Sequence, residues 1–356
     1  MKNFIRIGSK HSRSELPRIG VDLLGSDTSP SSLIEAVFEA EKEMKGQASF
    51  VVFATQDVFE AFPLPPSIQC ISVTEIVSPE DDPLLAARRK KHSSLYIGMN
   101  MLQKKEIDAF ITAGNTGALF ALAKLFLTKL PGIARPALLA LLPTKRKEVA
   151  VLDVGANVSV KVQHLIQFAS MGIAFQKTRG IATPTVGLLN IGAEAKKGTP
   201  ELRETYQKLQ LLNQKTNQNS PIFIGNVEGR DVFQGHIDVL VTDGFTGNIF
   251  LKTSEGIATF LLEELQANVI KGCSSEVQET INEFKKRLLY AEYPGAILCG
   301  IDGIVVKCHG NATSRSLFRG ITGALNLLQH QFLDQIKKQL TFDSQKVKTN
   351  LLLRTR

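Results

Sequence analysis

Short apolar runs recur along the chain, and each is followed by a polar stretch that usually contains glycine. The runs at 19–23, 50–54, 68–73, 109–112, 149–153, 186–190, 222–225, 239–242 and 304–307 are predicted strands. Many are continuously apolar, the pattern of strands covered on both faces. Between them, 84–103 and 117–130 carry apolar residues at three- and four-residue spacing, which predicts helices. Thr199-Pro200 reads as an N-cap followed by proline at the first helical position, and Ser275 with Gln278 suits a capping box. Strand–helix alternation of this kind predicts an α/β fold with a mostly parallel sheet between two helical layers.

Two stretches break the rhythm. Residues 254–290 contain no predicted strand and read as two successive helices split near Lys271-Gly272. In the second, Val277, Ile281, Phe284 and Leu288 share one face. That face suits packing on the core or on a second subunit, or else contact with a membrane surface or a carrier protein. Residues 214–220 are polar and read as a loop. With no repeats and no low-complexity linker, 18–335 is expected to be a single α/β domain, with the helical pair at about 254–290 as an excursion. Residues 1–17 and 336–356 are expected to be basic extensions.

At 356 residues and 43% hydrophobic, the chain has ample material for a large core. No window reaches eighteen consecutive apolar residues, so no transmembrane helix is expected, and the first residues lack the apolar segment of a secretory signal. Cys70, Cys273, Cys299 and Cys308 show no zinc-like spacing, which suggests a reduced, cytoplasmic setting. Cys308 and His309 are neighbours, but adjacent strand residues point to opposite faces. The net charge is +8, and it sits at the two ends. Residues 1–18 hold five basic residues and one acid, and 336–356 hold six and one. The body is nearly neutral and has no basic helix or aromatic-interleaved basic stripe, so nucleic acid is not an expected partner. The basic ends are solvated, or they touch an anionic surface.

The loops after the strands carry the chemistry. They include Gly114-Asn115-Thr116-Gly117, Asp153-Val154-Gly155-Ala156-Asn157, the stretch from Asn190 to Gly198, the stretch from Gly225 to Asp231, Asp243 to Asn248, and His309-Gly310-Asn311. Ligands of parallel α/β sheets bind at the carboxyl ends of strands, so six such loops are expected to converge on one site. Glycine permits close backbone approach, and helix N-termini attract anions. Gly244 and Gly247 bracket one such turn, and Lys197, Arg230 and Lys252 add positive charge. An anion or phosphate site is the expectation. GxGxxG after the first strand, GxxxxGK[ST], HExxH and GxSxG are all missing, which argues against classical dinucleotide, P-loop, zincin and serine-hydrolase chemistry. No side-chain nucleophile stands out, so the attacking group is expected to come from a substrate, and phosphate would serve. No cofactor and no metal site are predicted.

The stretches AGNTGAL, VLDVGANV, NIGAEAKKG, GNVEGRDVF, VTDGFTGNIFLKTSEG and EYPGAILCGIDGIVVKCHG, in this order and preceded by the tract RRKKHSS at 88–94, resemble the phosphate acyltransferases of bacterial phospholipid synthesis, the PlsX family. The resemblance runs from about Ile19 to Leu333. It implies a three-layer α/β/α fold similar to isocitrate and isopropylmalate dehydrogenases and to phosphotransacetylase. It also implies transfer of a fatty acyl group from acyl-[acyl carrier protein] to inorganic phosphate, giving acyl phosphate for a membrane-bound glycerol-3-phosphate acyltransferase. A homodimer in the cytoplasm, in peripheral contact with the membrane, is implied as well. Lys197, Asn226, Asp243 and Asn248 fall on the family's central motif positions and are the expected catalytic residues. Gly114, Asn115, Thr116, Gly117, Gly244, Gly247, Lys252, Arg230 and His309 are expected to bind phosphate or acyl phosphate. Arg88, Arg89, Lys90 and Lys91 are expected to meet the carrier protein. The chain departs from the family pattern at Ser26, His92, Ala193 and Asn311.

Read without the resemblance, several of these residues keep a second meaning. Lys197 also suits a surface turn, Asp243 an N-cap, His309 a structural histidine, and the basic tract a solvated helix face. Three rival activities remain at this stage: a short-chain acyl-CoA phosphotransacetylase, a dehydrogenase of similar fold, and a non-catalytic acyl-carrier or lipid-binding protein.

Overall fold

The apolar runs pair into one eleven-stranded sheet. The computed structural model describes residues 16–213, 222–268, 277–281, 283 and 295–341. The strands are β1 (Arg18–Asp22), β2 (Ser49–Ala54), β3 (Gln69–Ser72), β4 (Ala109–Thr112), β5 (Ala137–Pro143), β6 (Glu148–Leu152), β7 (Thr185–Leu189), β8 (Ile222–Val227), β9 (Val239–Val241), β10 (Gly295–Cys299) and β11 (Ile304–Cys308). Their order across the sheet is β3-β2-β1-β4-β11-β10-β5-β6-β9-β7-β8.

The nine predicted strands are all present. The two missed ones, β5 and β10, lie at the centre. The β5 sequence ALLALLP is all leucine and alanine before its proline; these residues favour helices, and none is β-branched. These two strands change the geometry of the whole molecule. Strands β3, β2, β1, β4 and β11 run parallel, as do β6, β9, β7 and β8. Between the blocks, β10 is antiparallel to both β11 and β5, and β5 is antiparallel to β6. Three reversals leave the two parallel blocks pointing in opposite directions. Their carboxyl ends therefore lie on opposite edges of the sheet, and the six loops do not converge on one edge as expected.

Helices cover both faces. On one side α1 (Pro30–Glu43), α6 (Val162–Thr178) and α10 (Ser314–Gln329) bury Leu33, Val37, Phe168, Phe175 and Ile321 against the sheet. On the other, α3 (Pro83–Arg89), α4 (Ser94–Gln103), α5 (Thr116–Phe126) and α9 (Gly244–Asn268) bury Ala87, Leu95, Met99, Leu122 and Leu251. Strand β2 shows how the sheet feeds both cores: Phe50, Val52 and Ala54 face the first, Val51 and Phe53 the second. Three more helices are α2 (Gln56–Ala61), α7 (Pro200–Gln210) and α8 (Gly229–Val232); residues 277–281 and 332–341 are helical too, and Phe332, Ile336 and Leu340 of the latter are buried in the first core.

Local signals explain where helices start. Thr199 caps α7 by accepting the Leu202 N–H at 3.3 Å, with Pro200 following it, as its sequence predicts. The single helix expected over 84–103 is two helices. Ser93 Oγ donates to the Lys90 carbonyl at 2.7 Å and accepts the Tyr96 N–H at 3.4 Å, ending α3 and capping α4. The stretch expected as a glycine-bracketed turn before a helix is the first turn of α9 itself. The predicted split near Lys271-Gly272, the residues Ser275, Phe284 and Leu288, and the 214–220 loop lie outside the described residues. Among the described residues no helix is long and apolar enough to cross a membrane.

Candidate active site

The opposed blocks create two rims. The first is built at the carboxyl ends of β6, β7 and β9. There a cavity of about 890 Å³ opens between the 153–159 loop, the 189–202 segment and the first turns of α9. Its walls are apolar, and they are unusually open to solvent: Ile191 is 83% exposed, Val158 74% and Phe245 58%. Asn190, Glu201 and Asp243, with the hydroxyl residues Ser159, Thr199, Thr242, Thr246 and Thr253, supply its polar groups.

Buried Asp153 seats this rim. Its Oδ1 accepts the N–H groups of Leu138, Gly155 and Ala156 at 3.0, 3.2 and 3.0 Å. Its Oδ2 accepts Asn157 N–H at 2.7 Å and Asn157 Nδ2 at 2.8 Å. Burial pushes the carboxyl pKa up, and these hydrogen bonds pull it back down. The loop so fixed receives α9 at close range. Gly244 N–H donates to the Asn157 carbonyl at 2.8 Å. A Cβ on Gly247 would stand 1.9 Å from the Asp153 carbonyl oxygen. The glycines of the DGFTGN stretch therefore serve helix-to-loop packing.

That packing also consumes the helix N-terminus. Asp243 is an N-cap: Oδ1 accepts Thr246 N–H at 2.8 Å and Oδ2 accepts Thr246 Oγ1 at 2.7 Å. Gly247 N–H donates to the Asp243 carbonyl at 2.9 Å. Of the first four N–H groups of α9, Phe245's alone has no acceptor among the described residues. Asn248 stands exposed on the next position, its side chain facing Gly155.

Lys197 belongs to the same rim. Its backbone is fixed by Asn190 Nδ2, which donates to the Lys197 carbonyl at 3.2 Å, and by its own N–H to the Glu194 carbonyl at 3.0 Å. Gly198 follows at φ +84, with the Asn190 amide occupying the space a Cβ would need. The Lys197 side chain is exposed, and no described carboxylate lies within ion-pair distance. Asn226 lies under this loop and donates Nδ2 to the Glu194 carbonyl at 2.9 Å. Its Oδ1 is buried and has no partner among the described residues, so it retains an acceptor for one incoming donor. Arg230 is held on α8 by Glu228 at 3.2 Å and Asp231 at 3.9 Å, and it does not line the cavity.

The second rim lies at the carboxyl ends of β1, β4 and β11. A cavity of about 410 Å³ there is lined by Gly25, Asp27, the Gly114–Gly117 loop, Lys307 and Gly310. Asn115 caps α5 through Ala118 N–H at 3.0 Å and ties the loop to the Ser78 carbonyl at 3.1 Å. Thr116 and Gly117 form the first turn behind it, and Gly117 packs on Pro83. Two buried charges, Lys307 and Asp22, lie beneath. Lys307 is 7% exposed and donates to the Ala113 carbonyl at 3.1 Å and to the Cys308 carbonyl. Asp22 is wholly buried and accepts Leu24 N–H at 3.0 Å and Thr112 Oγ1 at 2.8 Å. Both sit inside apolar strand runs, where single polar positions give no motif.

Burial pushes the Asp22 carboxyl up to about 6 and the Lys307 ammonium down to about 8. The Asp22 contribution to stability is fully present below the ordinary value of 3.8 and is lost as pH rises through about 6. Asp22→Asn should therefore gain stability relative to wild type as pH rises from 4 to 7, by roughly 2 kcal/mol. Urea unfolding of both proteins at the two pH values measures this; a constant difference would sink the account.

Helix α9 spans the two rims. Eleven residues separate Gly244 from Glu255, about 16 Å of helix. Glu255 meets Lys252 Nζ at 3.0 Å and His309 Nε2 at 3.3 Å. Burial pushes the His309 pKa down, Glu255 pulls it up, and Lys252 and Lys307 push it down. Lys197, Asn226, Asp243, Asn248, Gly244 and Gly247 thus lie around the first rim, but of these Asp243 alone lines its cavity; Gly114 to Gly117 line the cavity of the second rim, where His309 also lies. The basic tract also belongs to the second. Lys90 is tied to Asp81 at 2.5 Å, while Arg88, Arg89 and Lys91 are exposed.

The profile of the fatty acid synthesis protein family matches residues 17–335. The chain is 40% identical over 334 residues to a phosphate acyltransferase of Chlamydia pneumoniae, covering 91% of this chain and 99% of that one. It is 41% identical over 332 residues to a phosphate acyltransferase of Chlamydia caviae, with coverage of 91% and 99%. Among solved structures, a phosphotransacetylase from Streptococcus pyogenes superposes with a TM-score of 0.58 at 13% identity, covering 89% of this chain and 94% of that one. A branched-chain phosphotransacylase from Enterococcus faecalis V583 does so at 0.56 and 15%, covering 88% and 100%. These structures share the fold, the three-layer α/β/α arrangement predicted from the sequence.

Proposed function

Because the chain belongs to the fatty acid synthesis protein family, whose curated relatives are phosphate acyltransferases, it is an acyltransferase, and we propose that it moves a long-chain acyl group from acyl-[acyl carrier protein] to inorganic phosphate. The observation that carries this reading is the open, apolar cleft at the first rim. It is large enough for a fatty chain, and the Lys197 loop and the α9 N-terminus lie at its polar side.

In this reading a phosphate oxygen attacks the thioester carbonyl carbon. The C–O bond forms, the carbonyl electrons move onto oxygen, and the tetrahedral oxyanion then collapses with loss of the C–S bond. The products are acyl phosphate and the carrier thiolate. A thiol has a pKa of about 8.5, so its anion leaves without a strong general acid. Lys197 Nζ and the unused Phe245 N–H are the donors available to the oxyanion and the phosphate. Asp243 holds the α9 N-terminus in place through Thr246, Asn248 flanks the phosphate, and Asn226 fixes the Lys197 loop. Gly114 to Gly117, Lys252, Arg230 and His309 have no part in the acyl cleft; Lys252 and His309 connect the two rims through Glu255.

The proposal extends to assembly and pathway. Ile257, Phe260 and Leu261 lie along one exposed stripe of α9, which supports a homodimer. Acyl phosphate is a reactive mixed anhydride, so a membrane-bound acyltransferase acting on glycerol 3-phosphate is the proposed consumer. The protein would then work in the cytoplasm at the membrane surface. The decisive assay mixes protein, long-chain acyl carrier and phosphate, then traps product with hydroxylamine. Phosphate-dependent acyl hydroxamate with release of free carrier is expected. No hydroxamate from folded protein would overturn the proposal, and preference for short acyl-CoA would favour a phosphotransacetylase.

A further inference from the structure

A second cavity, of about 720 Å³, adjoins the acyl cleft; Val158 and Ser159 line both. Its charged lining is of one sign. Lys124, Lys129 and Arg135 all face it, with no acidic residue in the lining. None of the three has a carboxylate within ion-pair distance among the described residues. Free surface cations usually wander, but these are held. Lys129 Nζ donates to the Ala134 carbonyl at 3.0 Å, and its backbone pairs with Ile301 in an isolated antiparallel bridge. Arg135 Nη1 donates to the Ser159 carbonyl at 3.0 Å. Lys124 Nζ lies 4.3 Å from the centre of the Phe120 ring. Each cation retains further N–H donors.

We infer that this cationic cavity receives the anionic part of the acyl donor, the phosphodiester of the carrier's prosthetic arm and the acidic flank of the carrier beside it. The inference rests on the carrier-dependent reaction proposed above. Charge complementarity selects the occupant: three cations with no acid attract a phosphodiester and an acidic protein face together. Continuity with the acyl cleft gives the route. With the phosphodiester at Lys129 and Arg135, the arm runs past Val158 and Ser159 and delivers the thioester to the Lys197 side of the first rim. Arg88, Arg89 and Lys91, the carrier contact expected from sequence, stand beside the other cavity, where α3 packs on the N-terminus of α5.

The test compares wild type with a Lys124→Ala, Lys129→Ala, Arg135→Ala triple variant and with the single reversal Lys129→Glu. The expected result for the triple variant is a KM for acyl carrier at least tenfold higher with kcat little changed, and a flatter dependence of kcat/KM on salt. An acyl N-acetylcysteamine thioester, which has no phosphate and no protein, should be turned over as well by the variants as by wild type. An unchanged KM for acyl carrier would overturn the inference, as would equal losses with both donors. So would a KM that responds to alanines at Arg88, Arg89 and Lys91 in place of these three, or a loss confined to acyl-CoA. Binding of holo-carrier without an acyl group, read by fluorescence anisotropy, needs no turnover. Binding that is lost in the variants, from a wild type that makes no acyl phosphate, would keep the docking site and overturn the reaction.

Discussion

Lys197→Ala is expected to lower kcat/KM for acyl phosphate formation by about a hundred- to a thousandfold, the loss of about 3–4 kcal/mol that follows removal of one oxyanion donor. The fold should not suffer. The 190–198 loop is held by backbone groups, Asn190 to the Lys197 carbonyl and Lys197 N–H to Glu194, and all of these survive the substitution. The exposed side chain forms no described ion pair whose loss would unsettle the loop. Carrier binding should therefore persist while turnover falls, and Lys197→Arg should recover part of the rate by restoring the charge. A Lys197→Ala protein with wild-type kcat/KM would falsify the role assigned to this lysine.

Gly247→Ala should lower stability strongly. The added methyl would sit 1.9 Å from the Asp153 carbonyl oxygen and 2.8 Å from Thr242 Cγ2. The first obstacle is backbone, held by the cluster around the Asp153 carboxylate, so neither side yields cheaply. Overpacking of this kind costs roughly 3 kcal/mol. The first turn of α9 would also be displaced from the Lys197 loop, and misplacement near 1 Å costs about a hundredfold in rate. Gly256→Ala makes the contrast within the same helix. No atom lies within 4 Å of its Cβ position, so relief of the glycine penalty should add about 1 kcal/mol. Urea midpoints that move in opposite directions for the two variants bear this out; a Gly247→Ala protein as stable as wild type would refute the packing argument.

The strands were legible because burial on both faces writes a continuous apolar run, and β1, β4 and β9 carry one. Strand β5 was not legible because its alanines and leucines serve helices equally well. Without β5 and β10 the pattern still predicts a mostly parallel sheet, but it hides the reversals that send the loops to two edges. Glycine-rich loops announced the rims, yet their glycines answer to packing at Gly244 and Gly247 as much as to a ligand. The Asp153 hub was present in the quoted VLDVGANV stretch, but nothing there tells that its carboxylate gathers five hydrogen bonds. Lys124, Lys129 and Arg135 are scattered over twelve residues of helix end and loop, and only tertiary structure brings them to one cavity.

The central hairpin has a consequence for how the protein is made. Strands β10 and β11 come from residues 295–308, yet they lie between β4 and β5, which are synthesised long before them. Until that late segment leaves the ribosome, β4 and β5 each present an open edge with unpaired N–H and carbonyl groups along strongly apolar sequence. Such edges are templates for pairing with other chains, and the exposure lasts for the synthesis of some 150 residues, several seconds at least at ordinary elongation rates. The nascent chain therefore passes through a period in which two halves are formed and the join is missing. A chaperone that covers those edges, more than any late contact at the surface, should govern the yield of folded protein.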